Sequence, residues 1–218
     1  MGSDSYSIIQ KNFPNGDTAH SNLGVSVFSD CIVVTGQFDN YHGVVWAVGW
    51  LQAQLLGAGI LTRGGISIGK VFHSDEVLYG IGMLNAYRIE SSAAVYPRIV
   101  IDPKLAIRLP ENYKSIFLSL DADGLFFVDP FAFNETSGSA DVLFEDGWDP
   151  HEVYLEEVER HIKNGISSAK RVDHQSKWTW LSLRHAIAKA EYKKIGETRL
   201  TLLMKQMPNQ ANSAIAKK

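Results

Sequence analysis

Three side chains in the first hundred residues are of the types that phosphate chemistry uses. Asp30 follows Ser29 between two short apolar runs, residues 25–28 and 31–35. A carboxylate held rigidly at a turn between two strands is a candidate ligand for a hard divalent cation. Aspartate also occurs in turns because it satisfies its own backbone, and spacing alone favours that plainer reading. Arg88 lies in Ala86-Tyr87-Arg88-Ile89-Glu90. A guanidinium fork suits charge that builds on phosphoryl oxygens; the alternative is a solvated helix arginine paired with Glu90 or Asp75. Arg63 either contacts phosphate or opens a strand in water. His73, Asp75 and Glu76 follow no metal-binding spacing and read as surface.

Secondary elements must place these groups. The two apolar runs around Ser29-Asp30 predict a hairpin. Asp39 or Asn40 caps a helix to about Gly57, with Val44, Val45, Val48, Leu51, Leu55 and Leu56 at helical spacing. Leu61 to Phe72 reads as a strand, broken early by Gly64-Gly65. A second helix is expected over Leu78 to Ala94, with Leu84, Tyr87, Ile89 and Ala93 as buried positions. Arg98 to Ile101 is a short strand closed by Asp102-Pro103, and Asp121-Ala-Asp-Gly124 turns a further hairpin. This order predicts an α/β (α+β) sandwich with an antiparallel or mixed sheet and helices on one face.

Residues 134–149 are rich in Gly, Ser, Asp and Glu and are expected to link a domain over 1–133 to a helical extension over 150–218. Asp149-Pro150 with Glu152 has the pattern of a cap, a first-turn proline and a capping-box acid. That helix is expected to stop at Gly165. A partner helix over Asp173 to Lys194 carries Trp178, Trp180, Leu181 and Leu183, and the pair is expected to pack on the first domain.

Composition narrows the function classes. The 218 residues carry 24 acidic and 21 basic side chains, a formal charge of −3, which leaves no electrostatic footprint for nucleic acid. No apolar run reaches the roughly 18 residues of a membrane span. A single cysteine, Cys31, excludes an internal disulfide, and a cytoplasmic setting is expected. Gly69-Lys70 is followed by Val71, so the phosphate-loop signature is absent. One Cys and seven scattered His give no zinc set.

Three segments taken together resemble the class III nucleotidyl cyclases. Phe28-Ser29-Asp30-Cys31-Ile32-Val33-Val34 resembles the family's metal-binding hairpin, and Arg63-Gly64-Gly65-Ile66-Ser67-Ile68-Gly69 resembles its Arg-x-Gly-Ile-x-x-Gly strand. Gly80 to Glu90 resembles the helix that ends in Ala-x-Arg-Leu-Glu. The likeness spans roughly residues 24 to 102. Residues 86–100, with Tyr96-Pro97-Arg98-Ile99-Val100, are similar to the small stand-alone bacterial pyrimidine cyclases of anti-phage systems.

The resemblance implies a ferredoxin-like sandwich that works as a head-to-tail homodimer. It implies Mn²⁺ or Mg²⁺ as cofactor, Asp30 as metal ligand and Arg88 as the catalytic arginine. Ser26, Ser29 and Arg63 fall at nucleotide-binding positions. The implied reaction is attack of the ribose 3′-hydroxyl on the α-phosphate with loss of pyrophosphate, giving a cyclic monophosphate for a downstream effector. The chain departs from the family in three places. The opening strand with the first metal aspartate has no counterpart, Asp4 and Asp17 lying in polar contexts. Ser26 replaces the purine-reading lysine, which fits UTP, then CTP, as substrate. Leu84 replaces the helix asparagine.

Overall fold

The computed structural model describes residues 23–74, 76–133 and 149–206. Alternating small and branched residues give the first hairpin, β1 (Gly24–Phe28) and β2 (Cys31–Thr35), in antiparallel register with Phe28 opposite Cys31. Its two-residue turn is Ser29-Asp30, as expected. Ser29 has φ 55°, the left-handed value that a primed turn demands of its first central residue. Val27 and Ile32 pack with Leu51 and Leu55 of α1 (Tyr41–Gly57), while Ser26 and Thr35 belong to the opposite face of the pleat.

Helix α1 is the hub. It buries Val45, Ala47, Leu51, Ala53, Leu55 and Leu56, an apolar surface that covers most of its circumference. Val45 and Ala53 enter the largest core cluster with Ile66, Ile101 and Val128. Leu56 enters a second cluster with Leu155, Val158, Ile162 and Leu181.

The main sheet is mixed, with order β3-β6-β8-β7. Strand β3 (Gly64–Ile66) runs parallel to β6 (Ile99–Ile101), and β8 (Phe126–Val128) pairs antiparallel with both β6 and β7 (Leu118–Leu120). A separate ribbon joins β4 (Val71–His73) to β5 (Leu78–Gly80). The chain is therefore a mixed α/β protein.

Several local expectations are corrected. Gly64-Gly65 do not break a strand; they form β3, while residues 67–70 separate it from β4. A Cβ on Gly65 would lie 2.4 Å from the Ala86 carbonyl oxygen and 2.8 Å from Ile89 Cβ, so glycine is what lets α2 (Ile81–Ser92) press on the strand. Residues 78–80 are extended, and α2 starts after them. Leu84 and Tyr87 are 52% and 65% exposed, because the face turned to β3 carries Ala86 and Ile89, while Gly82 lies against Gly69 and Val71.

Two short helices follow β6: α3 (Pro103–Ala106), capped by Asp102 accepting from the Lys104 amide at 2.9 Å, and α4 (Glu111–Phe117). Residues 134–148 of the expected linker lie outside the described residues. Helix α5 (Pro150–Ser168) has the expected cap, Asp149 accepting from the His151 amide at 2.8 Å. It does not stop at Gly165: a Cβ there would meet the Trp178 ring at 2.1 Å, so this glycine is a docking notch for the indole. Helix α6 (Val172–Gln206) has 35 residues and runs well past Lys194. Leu181 and Ala188 of α6 pack against Leu155 and Val158 of α5. Among the described residues no helix is long and apolar enough to cross a membrane.

Candidate functional site

The sequence-predicted residues fall into two places on the chain. The first is the tip of the β1–β2 hairpin. Ser29, Asp30 and Cys31 are all exposed there. The Cys31 thiol is pushed above its ordinary range, first by partial desolvation from its neighbours and then by the carboxylates of Asp30 and Glu90. A thiol so disposed is a poor nucleophile. Arg63, just before β3, is held by Glu90, its Nε 2.7 Å from Oε1. Arg63 thus meets a carboxylate in place of open water.

Ser26 sits further along β1 and its hydroxyl is engaged. His73 of β4 lies between two hydroxyls, with Ser26 Oγ 2.6 Å from Nε2 and Thr35 Oγ1 2.6 Å from Nδ1. Either tautomer satisfies both contacts, one ring nitrogen donating and the other accepting. The expectation that His73 is plain surface is corrected: it is half-buried and fastens the β4–β5 ribbon to the first hairpin.

The second place is the outer face of α2. Arg88 is exposed and forms no ion pair among the described residues, Glu90 being taken by Arg63 and Asp75 lying outside them. Residues two apart on a helix point about 200° apart, so Arg88 and Glu90 look in opposite directions. The Ser91 and Ser92 hydroxyls donate to the Arg88 carbonyl at 3.2 and 2.5 Å.

A hard dication wants several oxygen ligands, with one or two carboxylates supplied by the protein when phosphates complete the shell. Among the described residues no three His, Cys, Asp or Glu side chains are grouped to hold a metal ion. Asp30 therefore stands as a single candidate ligand at the hairpin tip, in no such group of three among the described residues.

A polar assembly that sequence reasoning missed lies behind α2. Arg98, 1% exposed, forks onto the carboxylates of Asp121 and Asp123, and its Nη2 also donates to the Ala93 carbonyl at 3.1 Å. Trp180 of α6 donates from Nε1 to Asp121 at 2.9 Å and stacks on Tyr96 with ring centroids 5.6 Å apart. Nearby, Arg184 of α6 donates to Asp129 and to Ser119 Oγ, both at 2.8 Å. The two guanidinium carbons lie 6.0 and 5.1 Å from the Phe127 ring centroid. The signal available in the sequence was the pair of acids in the 121–124 turn, next to an arginine at the start of an apolar strand. No protein-family model matches this chain, and no match is found among curated proteins or solved structures.

Proposed function

We propose that the chain is a class III-type nucleotidyl cyclase acting on a pyrimidine nucleoside triphosphate, UTP ahead of CTP, as a homodimer. The observation that carries this reading is the state of Arg88. Arg63, Arg98, Arg160, Arg171 and Arg184 each meet a carboxylate; of the two exposed arginines that meet none among the described residues, Arg108 lies over the Phe38 ring and Arg88 has no such cover. A guanidinium left open in this way suits an anion brought by a substrate. Leu84 and Tyr87 expose apolar surface beside it, as a face that receives a second copy does.

In the proposed reaction the ribose 3′-oxygen bonds to the α-phosphorus and the bond to the β-phosphate oxygen breaks. Pyrophosphate leaves, and the hydroxyl proton passes to solvent. Arg88 stabilises charge on the α-phosphate oxygens as it grows. Asp30 and Ser29 approach the nucleotide from the hairpin tip of the other copy, and Ser26 lines the base position. A Mn²⁺ or Mg²⁺ ion held by Asp30 would lower the 3′-hydroxyl pKa and offset the charge of the leaving pyrophosphate. With this reading go the ferredoxin-like sandwich, a cytoplasmic setting, and a cyclic nucleotide that signals to an antiviral effector.

A second reading keeps the fold and drops the turnover: a cyclase-like module that binds a nucleotide or dimerises. That Asp30 belongs to no group of three candidate metal ligands among the described residues favours it. Incubation with Mn²⁺ and equimolar ATP, GTP, CTP and UTP, read by mass spectrometry, separates the two. One cyclic pyrimidine monophosphate supports the cyclase. Triphosphate binding without product supports the module.

A further inference from the structure

The network around Arg98 touches three elements that sequence keeps far apart. Its guanidinium reaches the Ala93 carbonyl, which ends α2, the Asp121 and Asp123 carboxylates of the β7–β8 turn, and through Asp121 the indole of Trp180 on α6. Ala93 is the C-cap of α2, and its own amide donates to the Ile89 carbonyl at 2.8 Å. A cation there also complements the negative end of the helix dipole. Arg88 lies five residues before this cap, on the last full turns of the helix.

The side chain is enclosed, with both terminal nitrogens bonded and only Nε lacking a hydrogen-bond partner. Arg98 is 1% exposed and its guanidinium carbon lies 5.8 Å from the Tyr96 ring centroid and 6.0 Å from that of Phe127. Tyr96 in turn lies flat on Trp180, at an interplanar angle of 3°. A shift of α6 relative to the sheet therefore moves Trp180, then the Asp121–Arg98 pair, and then the carbonyl that closes α2. The neighbouring Arg184 clamp holds the same helix α6 through Asp129 and Ser119, and it has no hydrogen bond to α2.

From this geometry we infer that Arg98 and Trp180 are positioning residues: they transmit the docked position of the C-terminal helical pair to α2, and so fix where Arg88 stands. The inference rests on the cyclase reading for its consequence in catalysis, but its structural half is independent of that reading.

Trp180→Phe keeps an aromatic ring against Tyr96, removes the N–H to Asp121 and gives up part of the indole's packing surface. Arg184→Lys is the comparison, since it loosens α6 at a place that does not reach α2. Site-resolved hydrogen exchange of the full chain is expected to show the Ala93 and Ala94 amides, both bonded to the Ile89 carbonyl, exchanging about tenfold faster in Trp180→Phe than in Arg184→Lys, the scale of a lost hydrogen bond to a charged group. In the cyclisation assay Trp180→Phe is expected to lower kcat with KM unchanged, because the arginine acts on the transition state. Equal exchange at these two amides in both variants overturns the inference. Selective exchange with kcat unchanged overturns its catalytic half. If the wild-type chain forms no cyclic product, the cyclase reading fails by itself, and the exchange comparison still decides the link between α6 and α2.

Discussion

Gly65→Ala is the substitution whose cost follows most directly from the geometry. Its Cβ would sit 2.4 Å from the Ala86 carbonyl oxygen and 2.8 Å from Ile89 Cβ. Both obstacles belong to the body of α2, so neither can rotate away as a side-chain tip would. The helix must retreat from β3 by about 1 Å to reach ordinary contact, opening its seam along Ala86 and Ile89. Overpacking of this kind costs about 1–3 kcal/mol. For a chain of this size that corresponds to a melting temperature lower by about 2–12 °C. Gly64 is the internal control. A Cβ there meets Ile99 Cγ1 at 3.5 Å, an ordinary contact, and removing glycine's freedom in the unfolded chain stabilises by roughly 0.4–1 kcal/mol. Urea denaturation followed by circular dichroism, with equal m-values, compares the two. Gly65→Ala as stable as Gly64→Ala would refute the close approach of α2 to β3.

Other substitutions probe separate parts of the account. Asp149→Ala removes the α5 cap and the acceptor of the Tyr192 hydroxyl, and is expected to lower stability by about 1–2 kcal/mol in the same denaturation assay. The Arg98 guanidinium holds the Asp123 carboxyl below the ordinary aspartate range. A group depressed on folding contributes stability that is complete above about pH 4 and is lost as pH falls through its folded value. Asp123→Asn should therefore lower stability at neutral pH and converge on the wild type at low pH, where the carboxyl is protonated, which flattens the acid limb; an unchanged acid limb would show that the pair carries no linkage. Leu84→Glu together with Tyr87→Glu replaces two exposed side chains of α2. Sedimentation velocity should show dimer becoming monomer while the unfolding free energy stays within about 0.5 kcal/mol. A dimer that survives both charges places its interface elsewhere.

What the sequence makes legible here is what local chemistry decides. The Ser29-Asp30 turn, the helix to Gly57 and the Asp149-Pro150 cap depend on residues within a few positions of one another, and each stands where composition and spacing put it. Glycine is where local reading fails. Gly65 and Gly165 look like a breaker and a stop, yet each exists to admit a distant group, the α2 backbone in one case and the Trp178 ring in the other. Leu84 and Tyr87 mislead for a related reason. Apolar residues at helical spacing imply burial, but the seam with β3 is made by Ala86 and Ile89 instead, which leaves the larger side chains outside. The Arg98 network joins residues 93, 98, 121, 123 and 180, and no periodicity records such a set. Of the candidate site, the hairpin tip and the helix that bears Arg88 were legible. The capture of Arg63 by Glu90 and of Ser26 by His73 depends on tertiary approach, which spacing does not encode.

The most direct test of the central claim is a mixing experiment with Asp30→Ala and Arg88→Ala. Each variant alone should form no cyclic UMP or cyclic CMP, since each lacks one half of every shared site. Equal amounts mixed and allowed to exchange subunits should recover about a quarter of wild-type activity, because half the dimers are mixed and each mixed dimer keeps one intact site. A mixture as inactive as its parents, beside an active wild type, would contradict a site shared between two copies. A wild-type chain that binds the triphosphate and forms no cyclic product would contradict the enzyme itself.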